Sequence, residues 1–316
     1  MFLTNFLSRH TQKVNQKSVK TLGEYESLLP VFELSKEIDR NIFQICLRDQ
    51  DSYATKVLKD LPDSFQENIR LIKDRNPEFN YQLISDKEAT EFIKNKYGQT
   101  ILSYYDRIDK RYPAARADLL RYLLLYASGG VYLDLKSTIN KPLLETLRPE
   151  DQYLVFYWDN LSNGQHHCLI PDCIPKGEML QAFIISAKGH PFMRKVILDV
   201  LKRIDQYNPY TEGTGWSGVI QTTGPAAYTI NIYKTLLSTT PKEGHYREGL
   251  PFQEFGFQVH FQGNYSPGQY QKQLRLRDYR ECSRPVIRSN SILLHITNIC
   301  WLKLLAGYRK RILHLD

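Results

Sequence analysis

Arg116-Ala-Asp118-Leu-Leu-Arg121-Tyr-Leu-Leu-Leu-Tyr-Ala-Ser-Gly129-Gly130-Val-Tyr-Leu-Asp134-Leu-Lys136 is the stretch on which the reading of this chain turns. Pro113 opens a helix just ahead of it, with apolar positions at Ala117, Leu119, Leu120, Leu123, Leu124 and Ala127. Gly129-Gly130 stops that helix, and Val131 to Asp134 follow as a short buried strand. Asp118 and Arg121 stand three apart, so they share a helix face and set an acceptor beside a forked donor, which suits a polyhydroxylated ligand. Arg121 can also grip a phosphate in bidentate fashion, which a lysine cannot copy. Asp134 ends its strand at the edge where open α/β sheets bind ligands, and a carboxylate there is costly unless it is paired or serves a ligand. Taken singly, these residues also fit a surface ion pair and a turn cap. Their joint spacing is what argues for a site.

Outward from this block, the order of elements points to an α/β fold. Asn41 to Leu47 reads as a strand, and the run from Leu61 to Asn76 as an amphipathic helix with Phe65, Ile69 and Ile72 on one side. Phe79 to Ile84 is a second strand, and Asp86 is expected to cap the helix carrying Ala89, Phe92 and Ile93. Strand and helix alternating over short connections imply a parallel sheet covered by helices. Later come a strand at 183–186, helices at 191–204 and 225–237, and strands at 257–261 and 291–296. Residues 1–37 read as an N-terminal arm with one short helix near 21–29, and residues 38–316 as a single domain.

At 316 residues, with 42% hydrophobic and 24% charged residues, the chain can bury a sizeable core, and no linker-like tract divides it. The formal charge of +8 favours anionic partners. Nucleic acid is set aside because no helix-turn-helix, zinc-finger or RNA-binding strand motif occurs. Five scattered cysteines read as reduced thiols of a cytoplasmic chain. No signal peptide or membrane span is expected, since the apolar start at Met1 to Leu7 is too short. The basic, amphipathic segment from Trp301 to Leu313 either docks on its own domain or lies on an anionic membrane surface near a lipid-linked acceptor. His166-His167-Cys168 with Cys173 lacks the paired spacing of a zinc site and reads as a loop. No nucleophile elbow, phosphate loop or dinucleotide turn supports a hydrolase, kinase or dehydrogenase.

The block of Ala-x-x-Asp-x-x-Arg, apolar helix, Gly-Gly and Tyr-Leu-Asp resembles the glycosyltransferase family whose sugar-binding region contains an Asp-x-Asp motif, the family of yeast initiating mannosyltransferases. The likeness runs from about Ile42 to Trp301 and is densest between Pro113 and Leu143. It implies a GT-A-like fold for nucleotide-diphospho-sugar transfer, with a mixed, mainly parallel central sheet flanked by helices. Residues 38–145 would form the donor-nucleotide half and 146–316 the acceptor half. It assigns the donor sugar's hydroxyls to Asp118 and Arg121, and the donor ribose, the sugar and any metal to Asp134. Donor contacts are likewise implied for Phe43 and Gln44 on the first strand, for Arg116, Tyr122 and Gly130, and for His295 and Trp301 of a late element that closes over the diphosphate. Gly189 to Phe192 and Thr223-Gly-Pro225 match further segments of the family. The activity implied is retaining hexose transfer from a UDP- or GDP-sugar to a glycan or lipid-linked glycan, in surface or capsular polysaccharide synthesis. The alternative is an inactive sugar-nucleotide-binding or interaction protein on the same fold.

Two departures bear on the cofactor. Lys136 stands where the motif has its second Asp, and Cys300 where it has a hydroxyl, so the site for Mn²⁺ or Mg²⁺ is weakened. Three readings stay open. Lys136 replaces the metal's charge in a metal-independent catalyst; or the site has decayed; or Lys136 points away and Asp134 holds a metal with His295.

Overall fold

The computed structural model describes residues 20–48, 53–158, 176–238, 245–248, 252–262, 272–274 and 278–288. In chain order the elements are α1 (Leu22–Leu28), β1 (Asn41–Ile45), α2 (Ala54–Lys59), α3 (Asp63–Arg75), β2 (Asn80–Ile84), α4 (Asp86–Arg107), α5 (Pro113–Ser128), β3 (Gly130–Asp134) and β4 (Thr138–Ile139). There follow α6 (Leu143–Thr146), β5 (Tyr153–Val155), β6 (Phe183–Ser186), α7 (Pro191–Gln206), α8 (Gly215–Thr222), α9 (Pro225–Leu237), β7 (Arg247–Glu248) and β8 (Phe257–Gln258).

The main sheet has the order β2-β1-β3-β6-β5-β7. β1 runs parallel to β2 and β3, as helical crossovers require, while β6 is antiparallel to both β3 and β5, and β5 is parallel to β7. The α/β class and the mixed sheet thus agree with the expectation. The sheet also crosses the expected boundary between the two halves, because β3 pairs with β6.

Both faces of the sheet are covered, and alternation along the strands explains how. Phe43, Ile45, Tyr132 and Ile184 join α4, α5 and α7 in the largest core cluster. Their neighbours Ile42, Val131, Leu133 and Ile185 point the other way, towards Phe255 and Phe257. Helix α5 is buried nearly all round, which a helix wedged between a sheet and another helical layer must be.

Gly129 and Gly130 do more than end α5. Gly130 has φ 113°, and a Cβ on it would lie 2.4 Å from the Asn41 carbonyl oxygen. Only glycine lets β3 start this close to β1.

Three details depart from the sequence reading. The cap of α4 is Ser85, boxed with Glu88, and not Asp86, whose carboxylate instead accepts from the Arg48 backbone N–H at 2.9 Å. The late strand is short, although the chain continues beside β4 as far as Phe261, whose N–H donates to the Lys136 carbonyl at 3.0 Å. Residues 20–37, expected as part of an arm, pack on the domain: Tyr25 and Leu29 lie in the largest core cluster, and Lys20 pairs with Asp205 at 2.6 Å. The strand expected at 291–296, the His166 to Cys173 cluster and the basic segment from Trp301 lie outside the described residues. Among the described residues, no helix is long and apolar enough to cross a membrane.

Candidate active site

Asp118 and Arg121, one turn apart on α5, form a buried ion pair through Arg121 Nη2 and Asp118 Oδ1. The other oxygen of Asp118 accepts from Thr223 Oγ1 at 2.9 Å. Arg121 Nη1 donates to the Gln181 carbonyl at 2.8 Å and stands 3.6 Å from Asp134 Oδ1, while its guanidinium lies over the Tyr132 ring at 4.8 Å. Tyr132 and Asp134 are two apart on β3 and so share a face, which lets the phenol donate to Asp134 Oδ1 at 2.7 Å.

A turn after β3, closed by the Ser137 N–H on the Asp134 carbonyl at 2.8 Å, brings Lys136 back over its neighbour. Its ammonium lies 3.3 Å from Asp134 Oδ2. The reading in which Lys136 points away is therefore set aside. Asp118, Arg121, Asp134 and Lys136 form one continuous line of alternating charge. Its inner end is buried, and its outer end is open, with Asp134 and Lys136 side chains 22% and 24% exposed.

Burial pushes the Asp118 carboxyl up to about 6, against the pull of Arg121 and Thr223. Arg121 keeps its charge: burial opposes it, but Tyr132, Asp118 and Asp134 outweigh burial and raise its pKa.

The other expected donor residues are placed differently. Gln44 joins the network from below, its Nε2 donating to the Asp134 carbonyl at 3.1 Å and its Oε1 accepting from Tyr81. Tyr122 is buried and donates to the Thr223 carbonyl at 2.9 Å, so it braces the site from behind. Arg116 lies elsewhere: it pairs with Asp86 at 3.1 Å and covers the Tyr105 ring. Phe43 is a core side chain, and Gly130 begins the strand that Asp134 ends. His295 and Trp301 lie outside the described residues.

Sequence reasoning missed Thr223, although the Thr-Gly-Pro segment that carries it had been singled out. It missed His260 altogether. That imidazole is half-buried beside Lys136, and burial and the lysine's charge hold it down to about 4 against the opposing pull of Asp134.

Among the described residues no group of three or more His, Cys, Asp or Glu able to hold a metal occurs, and both oxygens of Asp134 meet the Tyr132 hydroxyl or a basic side chain; His295, the other ligand expected, lies outside the described residues.

The model of the family described as "Glycosyltransferase sugar-binding region containing DXD motif" matches residues 62–154, from α3 to β5, and so takes in Asp118, Arg121, Asp134 and Lys136. Residues 62–154 are thus similar to a DXD-type glycosyltransferase sugar-binding region. The curated proteins that the chain resembles here are fungal. Inositol phosphoceramide mannosyltransferase 3 of Schizosaccharomyces pombe is 30% identical over 179 residues, 56% of this chain and 43% of the relative. Initiation-specific alpha-1,6-mannosyltransferase of Candida albicans is 23% identical over 248 residues, 71% and 60% of the two chains. Mannosyl phosphorylinositol ceramide synthase SUR1 of Saccharomyces cerevisiae is 33% identical over 91 residues, 29% and 23% of the two. The chain therefore spans between about a quarter and three fifths of the length of these relatives. Among solved structures, PaToxG glycosyltransferase aligns at TM-score 0.41 and 17% identity over 74% of this chain and 80% of its own. The UDP-bound glycosyltransferase domain of the YGT toxin aligns at 0.45 and 10% identity over 74% and 83%.

Proposed function

We propose that the protein transfers a hexose from a UDP- or GDP-linked donor to a glycan or lipid-linked glycan acceptor, with retention of configuration. The observation that carries this reading is the line from Asp118 through Arg121 and Asp134 to Lys136, which sets two cations beside a partly exposed carboxylate at the end of a central strand. A polyhydroxylated sugar and its diphosphate need that pairing of acceptor and positive charge. Mannose is the first donor sugar to try, because the names of the fungal relatives carry it. A role in surface or capsular polysaccharide synthesis belongs to the same proposal.

Lys136 and Arg121 would then take the part of the metal. As the bond between C1 and the phosphate oxygen breaks, negative charge grows on the departing diphosphate, and fixed cations stabilise it without reorganisation. The acceptor hydroxyl attacks C1 on the face from which the nucleotide leaves, and its proton passes to the departing phosphate oxygen. No protein nucleophile is needed, and activity should require little Mn²⁺ or Mg²⁺. Asp118 would act through Arg121, since both of its oxygens are already engaged.

A second reading, an inactive sugar-nucleotide-binding protein, is favoured by one observation: both oxygens of Asp134 also meet protein groups. Incubation with UDP- and GDP-hexoses, GDP-mannose included, with and without Mn²⁺, separates the two. Slow release of free nucleotide that drops at least about 100-fold in Asp134→Asn supports transfer, a loss of the size expected when a transition-state contact is removed. Binding without turnover of any donor supports the inactive protein. Lys136→Asp should make turnover dependent on Mn²⁺; a variant equally active with and without the metal would sink the substitution of lysine for cation.

A further inference from the structure

Lys136 has a neighbour that neither the motif nor the family likeness assigns. β4 and β8 pair antiparallel, Thr138 with Gln258 and Ile139 with Phe257. The contact continues beyond the ladder: Ser137 Oγ donates to the Val259 carbonyl at 3.0 Å, and the Phe261 N–H donates to the Lys136 carbonyl at 3.0 Å. The segment is pinned on both sides of His260. Phe257 stacks on Phe183 at 4.7 Å, and Phe261 meets Phe65 edge-on at 5.0 Å. His260 is thus held half-buried beside Lys136, close enough to feel the charges of both Lys136 and Asp134.

We propose that Lys136 and His260 together form a clamp for the donor's diphosphate, His260 supplying a directional N–H where Lys136 supplies charge. This rests on the reading of Lys136 given under Proposed function.

The chemistry of the two groups is complementary. An ammonium is a compact charge with rotatable donors, so it attracts a diphosphate but does not orient it. The backbone carrying the imidazole is anchored by aromatic residues on both sides, and a neutral imidazole donates along a single ring N–H. Held neutral at ordinary pH, it adds an N–H without adding a charge that would repel Lys136. A diphosphate offers oxygens on two phosphorus centres, and two donors from adjoining strands can engage it as a unit. A monophosphate leaves one of them unused.

Calorimetric titration of the wild-type chain with UDP, GDP, UMP and GMP is the test, repeated for Lys136→Gln, His260→Phe and His260→Gln. Wild type should prefer the diphosphate of its base. His260→Phe keeps a ring in place but removes the N–H, and should weaken the diphosphate about 10-fold while leaving the monophosphate unchanged. His260→Gln retains an N–H donor and should keep most of the diphosphate preference. If Lys136→Gln weakens diphosphate binding and His260→Phe does not, the role of His260 is wrong and the lysine's stands. If His260→Phe weakens mono- and diphosphate alike, the residue is merely structural and the clamp is overturned. If Lys136→Gln binds diphosphates as wild type does, the reading of Lys136 itself fails, and the clamp with it.

Discussion

Thr223 is the residue on which the inner end of the site depends. Among the described residues its hydroxyl and Arg121 are the groups that meet the Asp118 carboxylate, and all three side chains are buried. Thr223→Val would leave one Asp118 oxygen buried without a partner, costing about 1–3 kcal/mol of stability. It would also raise the Asp118 pKa further, since the hydroxyl's bond holds it down. The sign follows from that pKa. A carboxyl at about 6 when folded, against an ordinary 3.8, contributes its stabilisation fully below about 3.8 and loses it as pH rises through about 6. Protonating Asp118 also removes the anion that steadies Arg121, so affinity for a nucleoside diphosphate should fall as pH drops through about 6, with the midpoint moving upward in Thr223→Val. Calorimetry between pH 5 and pH 8, a range of about three units around that pKa, checks both, and an unmoved midpoint would count against Asp118 as the titrating group. The Asp118–Arg121 pair was legible in the sequence because the helix period sets them on one face, and Asp134 beside them because of the family likeness of the block. Thr223 and His260 were not, because a tertiary contact across about a hundred residues has no local period to reveal it.

At the scale of elements, the sequence disclosed the helices and strands with strong punctuation. Pro113, Gly129-Gly130, Pro191 and Pro225 mark ends that the structure reproduces. What it hid were short pieces such as β4, β5 and β7, whose two or three residues are fixed by tertiary pairing and not by propensity. The sequence reads the Gly-Gly pair as a stop signal, with a donor contact implied for Gly130, yet the approach of Asn41 makes Gly130 a requirement of the sheet. Gly130→Ala should lower stability by more than the roughly 1–3 kcal/mol of a strained backbone, because the added Cβ would also collide with the Asn41 carbonyl. A melting temperature equal to wild type would refute that. His190, fully buried, caps α7 by accepting the Phe192 N–H on Nδ1 at 3.2 Å. Burial holds its imidazole down to about 3. A folded pKa below the ordinary 6.5 gives stability that is full above 6.5 and lost as pH falls towards 3. Thermal melts should therefore decline from pH 7 towards pH 4, about three units. His190→Asn, which keeps a capping acceptor without the titration, should decline less steeply. An equally steep decline would assign the acid limb to other groups.

On the scale of the whole molecule, the site is assembled at the centre of the sheet from widely separated parts of the chain. Arg121 comes from α5, Asp134 and Lys136 from β3 and its turn, Thr223 from the end of α8, and His260 from the strap beyond β8. Such a site depends on the integrity of the core and not on any one half. Residues 20–37 contribute to that core at a distance from the chemistry. Tyr25 and Leu29 are 2% and 3% exposed, and the Tyr25 hydroxyl, the Lys20 ammonium and the Tyr104 hydroxyl all donate to the Asp205 carboxylate, which Arg107 also meets. Burying side chains of this size stabilises by about 1.5–3 kcal/mol each. Without Lys20 and Tyr25, Asp205 would keep Arg107 and Tyr104 and become more exposed, so its loss would add less than the apolar contacts. A chain beginning at residue 38 should therefore unfold at a clearly lower urea concentration than one beginning at residue 20, by several kcal/mol in all, with a smaller dependence on denaturant because less surface is buried. Nucleoside diphosphate binding by the shorter chain should persist at low temperature, since none of the four charged groups of the site touches the missing segment. Equal unfolding midpoints for the two chains would mean that the α1 segment is a passenger on the domain, and loss of binding at a temperature where the shorter chain is still folded would mean that it shapes the site.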